Sequence, residues 1–465
     1  MRLVEPRVVP PLDPGFCPAV LAHHALVNHA RESGEGEHLV LALERSDGQI
    51  TTYGTALFPP GHSRFAEGCE YAALLVKDLL WMRGGWRVVV GGPTEVGQYV
   101  QRAYAPGGEF AFEAEFMGGV YQQPFTVEVT TADEAPGPQE GGMPLGRHLE
   151  GCRIGLDLGA SDYKLSAVVE GEAVWTEEFP WDPRPQSDPS YHYEHLMDGL
   201  KQAAAHLPRL DAIGVSAAGI YLNNRVAVAS LFRGIPPEVF DAQVRDLFLR
   251  IQKDWGGIPL EVANDGDVTA LAGSMSLEAS NVLGIALGSS EAGGYVDGEG
   301  NITGWLNELA FVPFDYQPGA ASDDWSHYPG VGSQYLCQVG AARMAPWAGI
   351  ELDPALGLPE KLKAVQELMA AGDERARRVY ETLGVWTGYA IALYADFYNL
   401  EHVLVLGRVT SGEGGTILRD TAQHVLREEF PELGHQVKLH LPEETERRHG
   451  QAVAAASLPA LSEED

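Results

Sequence analysis

The chain of 465 residues carries 32 Lys and Arg against 65 Asp and Glu, a formal charge of -33 that opposes nucleic acid and anionic membranes as partners. Its 45% hydrophobic content is ample for two or three buried cores. No run of about 18 apolar residues and no basic-then-apolar leader occurs, so the expectation is a cytoplasmic protein without a membrane span. Cys17, Cys69, Cys152 and Cys337 are scattered without a C-x-x-C pair, which reads as four reduced thiols rather than a disulfide framework or a zinc knuckle.

In chain order, residues 38–60 predict two strands about the turn Ser46-Asp47-Gly48. A helix over 66–82 and a buried strand, RVVVGG, at 87–92 follow. Residues 131–150, TADEAPGPQEGGMPLGRHLE, are dominated by proline, glycine and acidic side chains and read as a linker after an N-terminal α+β domain at 1–130. A similar order then returns: paired strands across 153–179, a proline-rich loop, a helix near 191–206 and the strand AIGVSAAG at 212–219. The recurrence suggests an internal half-repeat whose first copy has lost its phosphate loop; an unrelated α+β domain is the competing account.

Four segments carry chemistry. In RIGLDLGASDYKLSAVVE, residues 153–170, a strand ends in Asp157 and a tight turn carries Gly159, Ala160 and Ser161. Gly159 can take positive φ, and small neighbours let backbone N–H groups and the Ser161 hydroxyl approach a phosphate. Asp157 at the strand end is placed to hold a hydrated magnesium ion. A plain hairpin turn is the competing reading. In PLEVANDGDVTALAG, residues 259–273, Asn264-Asp265 falls at a strand-to-helix junction. A carboxylate there can take the proton of a hydroxyl attacking a phosphoryl group, or can simply cap the helix. In residues 281–311 the strand VLGIALG runs into Gly288-Ser289-Ser290, and the pair Gly293-Gly294 opens another strand. This is either a second clamp of backbone donors or a two-glycine hairpin. In residues 402–430 the strand VLVLG precedes a glycine-rich turn with Gly407 and Gly412, which can lie under a purine ring because nothing larger than glycine is in the way.

Together, in this order, these elements resemble the actin-like ATPase superfamily of sugar kinases, hexokinases and actin, and within it the ROK family of bacterial sugar kinases and repressors. The resemblance spans residues 152–458. It implies an α/β fold of duplicated actin-like, ribonuclease H-like lobes at 151–280 and 281–445 around a nucleotide cleft. A C-terminal helix from 446 would return to the first lobe, ahead of an acidic tail ending at 465. The additional N-terminal domain would then be a degenerate actin-like half or an unrelated α+β unit. Asp157, Gly159 and Ser161 occupy the family's first phosphate loop, with Lys164 beside them. Gly288, Ser289, Ser290, Gly293 and Gly294 fall on the second phosphate motif, and Gly407 and Gly412 on the adenosine motif. Asn264-Asp265 matches the Asn-Asp pair whose aspartate is the general base. The resemblance implies ATP and magnesium as cofactors, with Asp157 reaching the metal through water, a sugar or polyol substrate, and a homodimer, or a monomer if the additional N-terminal domain covers the usual dimer surface.

The departures fall on the substrate side. In Asn307-Glu308-Leu309-Ala310-Phe311, Glu308 matches the glutamate that binds sugar hydroxyls in the family's Gly-Glu-x-Gly-His, but Phe311 stands where that pattern has a zinc-binding histidine. The next segment has one cysteine, so no structural zinc site is expected. A second sugar-binding glutamate gives way, with Gln334 as its candidate replacement. SLFRGIP at 230–236 stands for the usual Pro-Asn, and Arg233 within it reads as a ligand of an acidic or phosphorylated substrate or as a solvated side chain. The expected activity is ATP-dependent phosphorylation of a sugar hydroxyl, with Asp265 as base and Asn264, Glu308 and Arg233 on the substrate. The alternative is a non-catalytic actin-like regulatory protein that binds nucleotide or sugar. A DNA-reading repressor is disfavoured, because residues 1–150 hold 10 Lys or Arg against 19 Asp or Glu. Trp175, Phe179 and Trp181 read as hairpin and core packing, and His192, His195 and His206 as surface or capping residues.

Overall fold

Among the described residues of the computed structural model there are fifteen strands: β1 (Glu37–Glu44), β2 (Ile50–Leu57), β3 (Arg87–Gly91), β4 (Thr126–Thr130), β5 (Cys152–Leu158), β6 (Asp162–Val169), β7 (Glu172–Pro180), β8 (Ala212–Ala217), β9 (Ile220–Leu222), β10 (Arg225–Val228), β11 (Leu260–Asn264), β12 (Val282–Leu287), β13 (Glu291–Val296), β14 (His402–Leu406) and β15 (Lys438–His440). The structure describes residues 1–140, 145–441 and 444–461, with 444–449 described by backbone alone. The centre of the expected linker, 141–144, and the acidic tail, 462–465, lie outside the described residues. Two compact units divide the chain: Met1–Gly141 with Ile285–Gly293 and Trp305–Leu441, and Gly142–Gly284 with Gly294–Gly304 and Pro442–Asp465.

The second of these units is built on a sheet of order β11-β8-β5-β6-β7. β5, β6 and β7 form an antiparallel meander, one strand more than the expected pair, while β5, β8 and β11 run parallel. Ile154, Leu156 and Leu158 alternate along β5 and enter one core with Leu165, Leu196, Leu200, Ile213, Val215 and Phe248. The intervening Gly155 pairs in register with Gly214 on β8. A Cβ at Gly155 would lie 1.8 Å from the Ala452 carbonyl oxygen, and one at Gly214 would lie 1.7 Å from that of Ala455. The helix Glu444–Ala456 therefore rests directly on strand backbone, which an alanine-rich helix over a glycine floor permits. Arg153, fully buried, donates at 2.6 Å to the carbonyls of Glu150 and Pro459 and so ties the chain's end to this sheet.

The other unit holds the four-stranded sheet β2-β1-β3-β4 and, with residues 285–293 and 402–440, the greater part of the sheet β13-β12-β14-β15. The N-terminal residues are continuous with the later ones in a single body. Phe16 packs on Phe314 and on Tyr389, each at 5.7 Å between ring centroids, and the Leu12 N–H donates to Thr382 Oγ1 at 3.1 Å. The half-repeat suggested by element order is not matched in strand direction. β1 meets β3 antiparallel, whereas β5 meets β8 parallel, and hydrophobic periodicity carries no information about strand direction. The first part of the expected linker is docked rather than free. Ile50 and Gln139 exchange N–H to carbonyl bonds at 2.9 Å, and the Glu140 carboxylate accepts from Arg45 and Thr51. The four cysteines are free thiols. No helix among the described residues is long and apolar enough to cross a membrane.

Candidate functional site

Parallel strands present their carboxyl ends on one edge of the sheet, where loops rather than ladder bonds follow. In β5, β8 and β11 this edge carries polar residues in a row: the register sets Asp157 beside Ser216 and Ala217 beside Asn264. Ser216 Oγ donates to Asp157 Oδ1 at 2.9 Å, and Gln451 Nε2, from the C-terminal helix, donates to the same oxygen at 3.2 Å. Lys164 lies directly opposite Asp157 on β6, with its ammonium 3.7 Å from Asp162 Oδ1 and 3.8 Å from Glu178 Oε2. Burial first, then the negative charge of Asp265, push the half-buried Asp157 carboxyl up to about 6, against the bonds from Ser216 and the charge of Lys164.

Asn264 and Asp265 divide the two roles that the sequence left open for one residue. Asn264 is the helix cap: its Oδ1 accepts from the Gly266 N–H at 2.7 Å, and its Nδ2 donates to the Gly219 carbonyl at 2.8 Å. Asp265 is the first residue of the helix Asp265–Leu277, and its carboxylate is not the cap. Burial raises the Asp265 pKa, with the N–H groups of the first helical turn opposing.

The turn after β5 is held differently from the expectation. Gly159 does not take positive φ; what requires glycine is space, since a Cβ would lie 2.8 Å from the Asp162 carbonyl oxygen. Trp181 Nε1 donates to the Gly159 carbonyl at 2.9 Å and its own N–H to that of Ser161 at 3.1 Å. The exposed Ser161 hydroxyl donates to Asp162 Oδ2 at 2.9 Å. Arg233 is exposed at the end of a short helical turn, Ser230–Phe232.

In the other unit the structure brings the two remaining motifs to one end of a sheet. Gly288-Ser289-Ser290 follows β12, with both serines exposed and the Gly288 N–H donating to the Ser290 carbonyl at 3.0 Å. Gly407 follows β14 with φ 100°, and a Cβ there would lie 2.5 Å from the Leu287 carbonyl oxygen, so the two turns are adjacent. Gly412, at φ 75° and open on all sides, starts the helix Glu413–Glu429. Gly293 and Gly294 do not open a strand but sit inside β13. A Cβ at Gly293 would lie 2.5 Å from the Asn307 carbonyl oxygen. One at Gly294, which belongs to the same unit as Asp265, would lie 2.1 Å from that of Gly266, in the first turn of the helix that carries Asp265. Both glycines answer to packing.

Glu308 is half-buried in this same unit, and its N–H donates to the Trp81 carbonyl at 3.0 Å. Phe311 joins an aromatic cluster, with its ring 4.6 Å from that of Trp81 and 5.0 Å from that of Trp325. Gln334 is half-buried at the end of the turn Gly332–Gln334. Among the described residues no group of three or more metal-ligating side chains is assembled.

A hydrated divalent cation fits the donor set around Asp157. The carboxylate has Oδ1 fixed by two donors, sits at a strand end beside a second carboxylate, and carries a raised pKa that a cation would reverse. Sequence reasoning missed Ser216, Gln451 and Trp181. Ser216 had a signal, as the single hydroxyl in an otherwise apolar strand, AIGVSA. Gln451 and Trp181 reach the site from distant segments and had none. His192 is also corrected: it is buried, with Nε2 on the Leu231 carbonyl at 3.0 Å, because its helix packs that face inward.

Solved structures share this fold over part of the chain. The ROK hexokinase of Thermus thermophilus superposes with a TM-score of 0.51 at 18% identity, over 66% of this chain and 96% of its own. The fold is that of the ROK kinases. It is an α/β fold of the actin-like type, and the likeness at this identity is one of fold. The ROK family glucokinase of Streptomyces griseus, solved with glucose and AMPPNP, matches with a TM-score of 0.45 at 20% identity over 66% of this chain and 98% of its own. A ROK family transcriptional regulator, homologous to the E. coli MLC protein, matches at 0.49 and 20% identity, over 67% and 79%. No protein-family model matches the chain, and no curated protein matches it in sequence.

Proposed function

We propose that the protein transfers the γ-phosphoryl group of ATP to a hydroxyl of a sugar or polyol. The observation that carries this reading is the division of labour at the end of β11: Asn264 caps the helix, which leaves the neighbouring Asp265 carboxylate for chemistry. In this role Asp265 takes the proton of the acceptor hydroxyl as it attacks phosphorus, and its raised pKa suits a base that must accept a proton at neutral pH. Asn264 is anchored at both ends of its amide and keeps the junction rigid, so the base does not wander from the acceptor. Magnesium, held through water by Asp157, would neutralise charge on the transferring phosphoryl group. Gly288, Ser289 and Ser290, with Gly159, Ser161 and Lys164, would take the phosphate tail, and Gly407 and Gly412 the nucleoside. Glu308 would accept hydrogen bonds from the acceptor, and Arg233 would meet an acidic one. The setting this implies is the cytoplasm.

The test is transfer from ATP to a panel of about fifty sugars and polyols, comparing the protein with Asp265→Asn at equal nucleotide affinity. The expected outcome is turnover of at least one acceptor and a loss on the order of a hundredfold or more in the variant. Unchanged turnover removes Asp265 as the base. Nucleotide binding with no acceptor phosphorylated supports a regulatory, non-catalytic protein instead.

A further inference from the structure

The helix Phe65–Arg83 ends against the segment that carries Glu308, and its unpaired carbonyls are capped by that segment. A helix leaves its last carbonyls without intrahelical partners. Here the Leu80 carbonyl accepts from the Gly84 N–H at 2.9 Å, while the Trp81 and Met82 carbonyls accept from the N–H groups of Glu308 and Asn307, both at 3.0 Å. Gly84, at φ 85°, leaves room on two sides, since a Cβ there would lie 2.0 Å from the Tyr121 hydroxyl and 2.9 Å from Leu306 Cγ. Asn307 is 1% exposed and held at φ 52°, a conformation that asparagine tolerates better than most residues. Tyr398 fixes it there by donating its hydroxyl to Asn307 Oδ1 at 2.8 Å. The same helix grips the following segment twice more. The Trp81 ring lies 4.6 Å from that of Phe311, and the Lys77 ammonium, fully buried and paired with Glu113, lies 4.3 Å from the centre of the Tyr328 ring.

We propose that this N-terminal helix sets the geometry in which Glu308 meets the acceptor, with Asn307 and Tyr398 as positioning residues. Acceptor affinity is thus built by the N-terminal segment, although Glu308 belongs to the later part of the chain. The inference rests on the reading of Glu308 as an acceptor ligand, and its test separates the two. In the full chain, hydrogen exchange followed by mass spectrometry reads protection of the amides at 305–312. Kinetics read the acceptor and ATP KM values of Tyr398→Phe, Asn307→Ala, Asn307→Gly and Glu308→Gln. The expected result is protection of the Asn307 and Glu308 amides comparable to that of Gly84. Tyr398→Phe and Asn307→Ala raise the acceptor KM by about fivefold, the loss of one net hydrogen bond, at constant ATP KM. Asn307→Gly recovers part of the affinity lost in Asn307→Ala, because glycine takes φ 52° without strain. Unprotected amides overturn the proposal, as does an acceptor KM that Glu308→Gln raises but Tyr398→Phe and Asn307→Ala leave unchanged. An acceptor KM unmoved by Glu308→Gln, with protection retained, overturns the reading of Glu308 itself and the proposal with it.

Discussion

Two sheets carry the candidate residues, each at its own strand ends, and they work by different means. At the ends of β5, β8 and β11 the offering is side chains, each braced: Asp157 by Ser216 and Gln451, and the Asp265 junction by the two-ended amide of Asn264. At the ends of β12 and β14 the offering is backbone, exposed where glycine removes the side chain. A braced carboxylate suits proton transfer and cation binding, whereas an open turn suits an anion that needs only N–H groups. The difference also explains why glycine is the less reliable sign. A glycine can leave a turn open to solvent, as at Gly412, or admit a neighbouring backbone, as at Gly294, and the two read alike in sequence.

The sharpest way to break this comparison is Gly294→Ala. A Cβ 2.1 Å from the Gly266 carbonyl oxygen must displace the first turn of the helix that carries Asp265. The expected result is a loss of roughly 3 kcal/mol of stability, the upper range for overpacking. Denaturant unfolding measures it. Full stability with weakened nucleotide binding would instead make Gly294 part of a phosphate clamp.

A second prediction concerns the residue immediately after the Gly288–Ser290 turn. Glu291 is buried, Tyr394 donates to its Oε1 at 2.9 Å, and its Oε2 has no partner among the described residues. Burial pushes its pKa from 4.5 to about 8, with the Tyr394 bond opposing. The folded state therefore keeps a proton that the unfolded chain has lost. Its contribution to stability is complete below about pH 4.5 and disappears as pH rises through about 8. Glu291→Gln removes that slope, so the variant gains stability relative to the protein itself as pH rises from 5 to 8.5. Parallel stability curves for the two proteins from pH 5 to 8.5 would show that Glu291 is ionised throughout.

The side-chain half is tested by Ser216→Ala, which removes one of two donors from Asp157 Oδ1 while Gln451 remains. Turnover at limiting magnesium falls by about tenfold, the lower end for one hydrogen bond to a charged group, and saturating magnesium restores most of it. An equal loss at all magnesium concentrations would separate Asp157 from the metal.

Much of the side-chain half was legible in sequence because strand ends are. RIGLDL alternates and then meets small residues, and PLEVAN stops at a cap residue, so Asp157 and Asp265 are placed by local pattern alone. What bracing they receive was not legible, since Gln451 and Trp181 arrive from elsewhere and contact across many residues leaves no periodic trace. The N-terminal segment failed for a related reason. Its strands and its helix stand where pattern put them, at Glu37–Glu44, Ile50–Leu57, Phe65–Arg83 and Arg87–Gly91, but the direction of β3 against β1 and the docking of Trp81 on Phe311 are tertiary facts. Phe311 shows the gain from the structure most directly: in sequence it is a departure from a zinc pattern, and in the fold it is a ring in an aromatic cluster.

The smallest expected effect isolates bracing from chemistry. Trp181 is nearly buried, packs edge-on to Tyr163 at 5.1 Å, and donates its indole N–H to the Gly159 carbonyl. Trp181→Phe keeps an aromatic ring in the core but deletes that donor and leaves the Gly159 carbonyl to water, since Gly159 is exposed. The cost is about 0.5–1 kcal/mol, a neutral hydrogen bond whose acceptor can be resolvated. Because the lost bond restrains the turn and no reacting group, nucleotide KM should rise by about twofold while turnover at saturation stays constant. A fall in turnover at saturating nucleotide would mean that the turn between β5 and β6 shapes the reacting geometry as well as the binding of the phosphate tail.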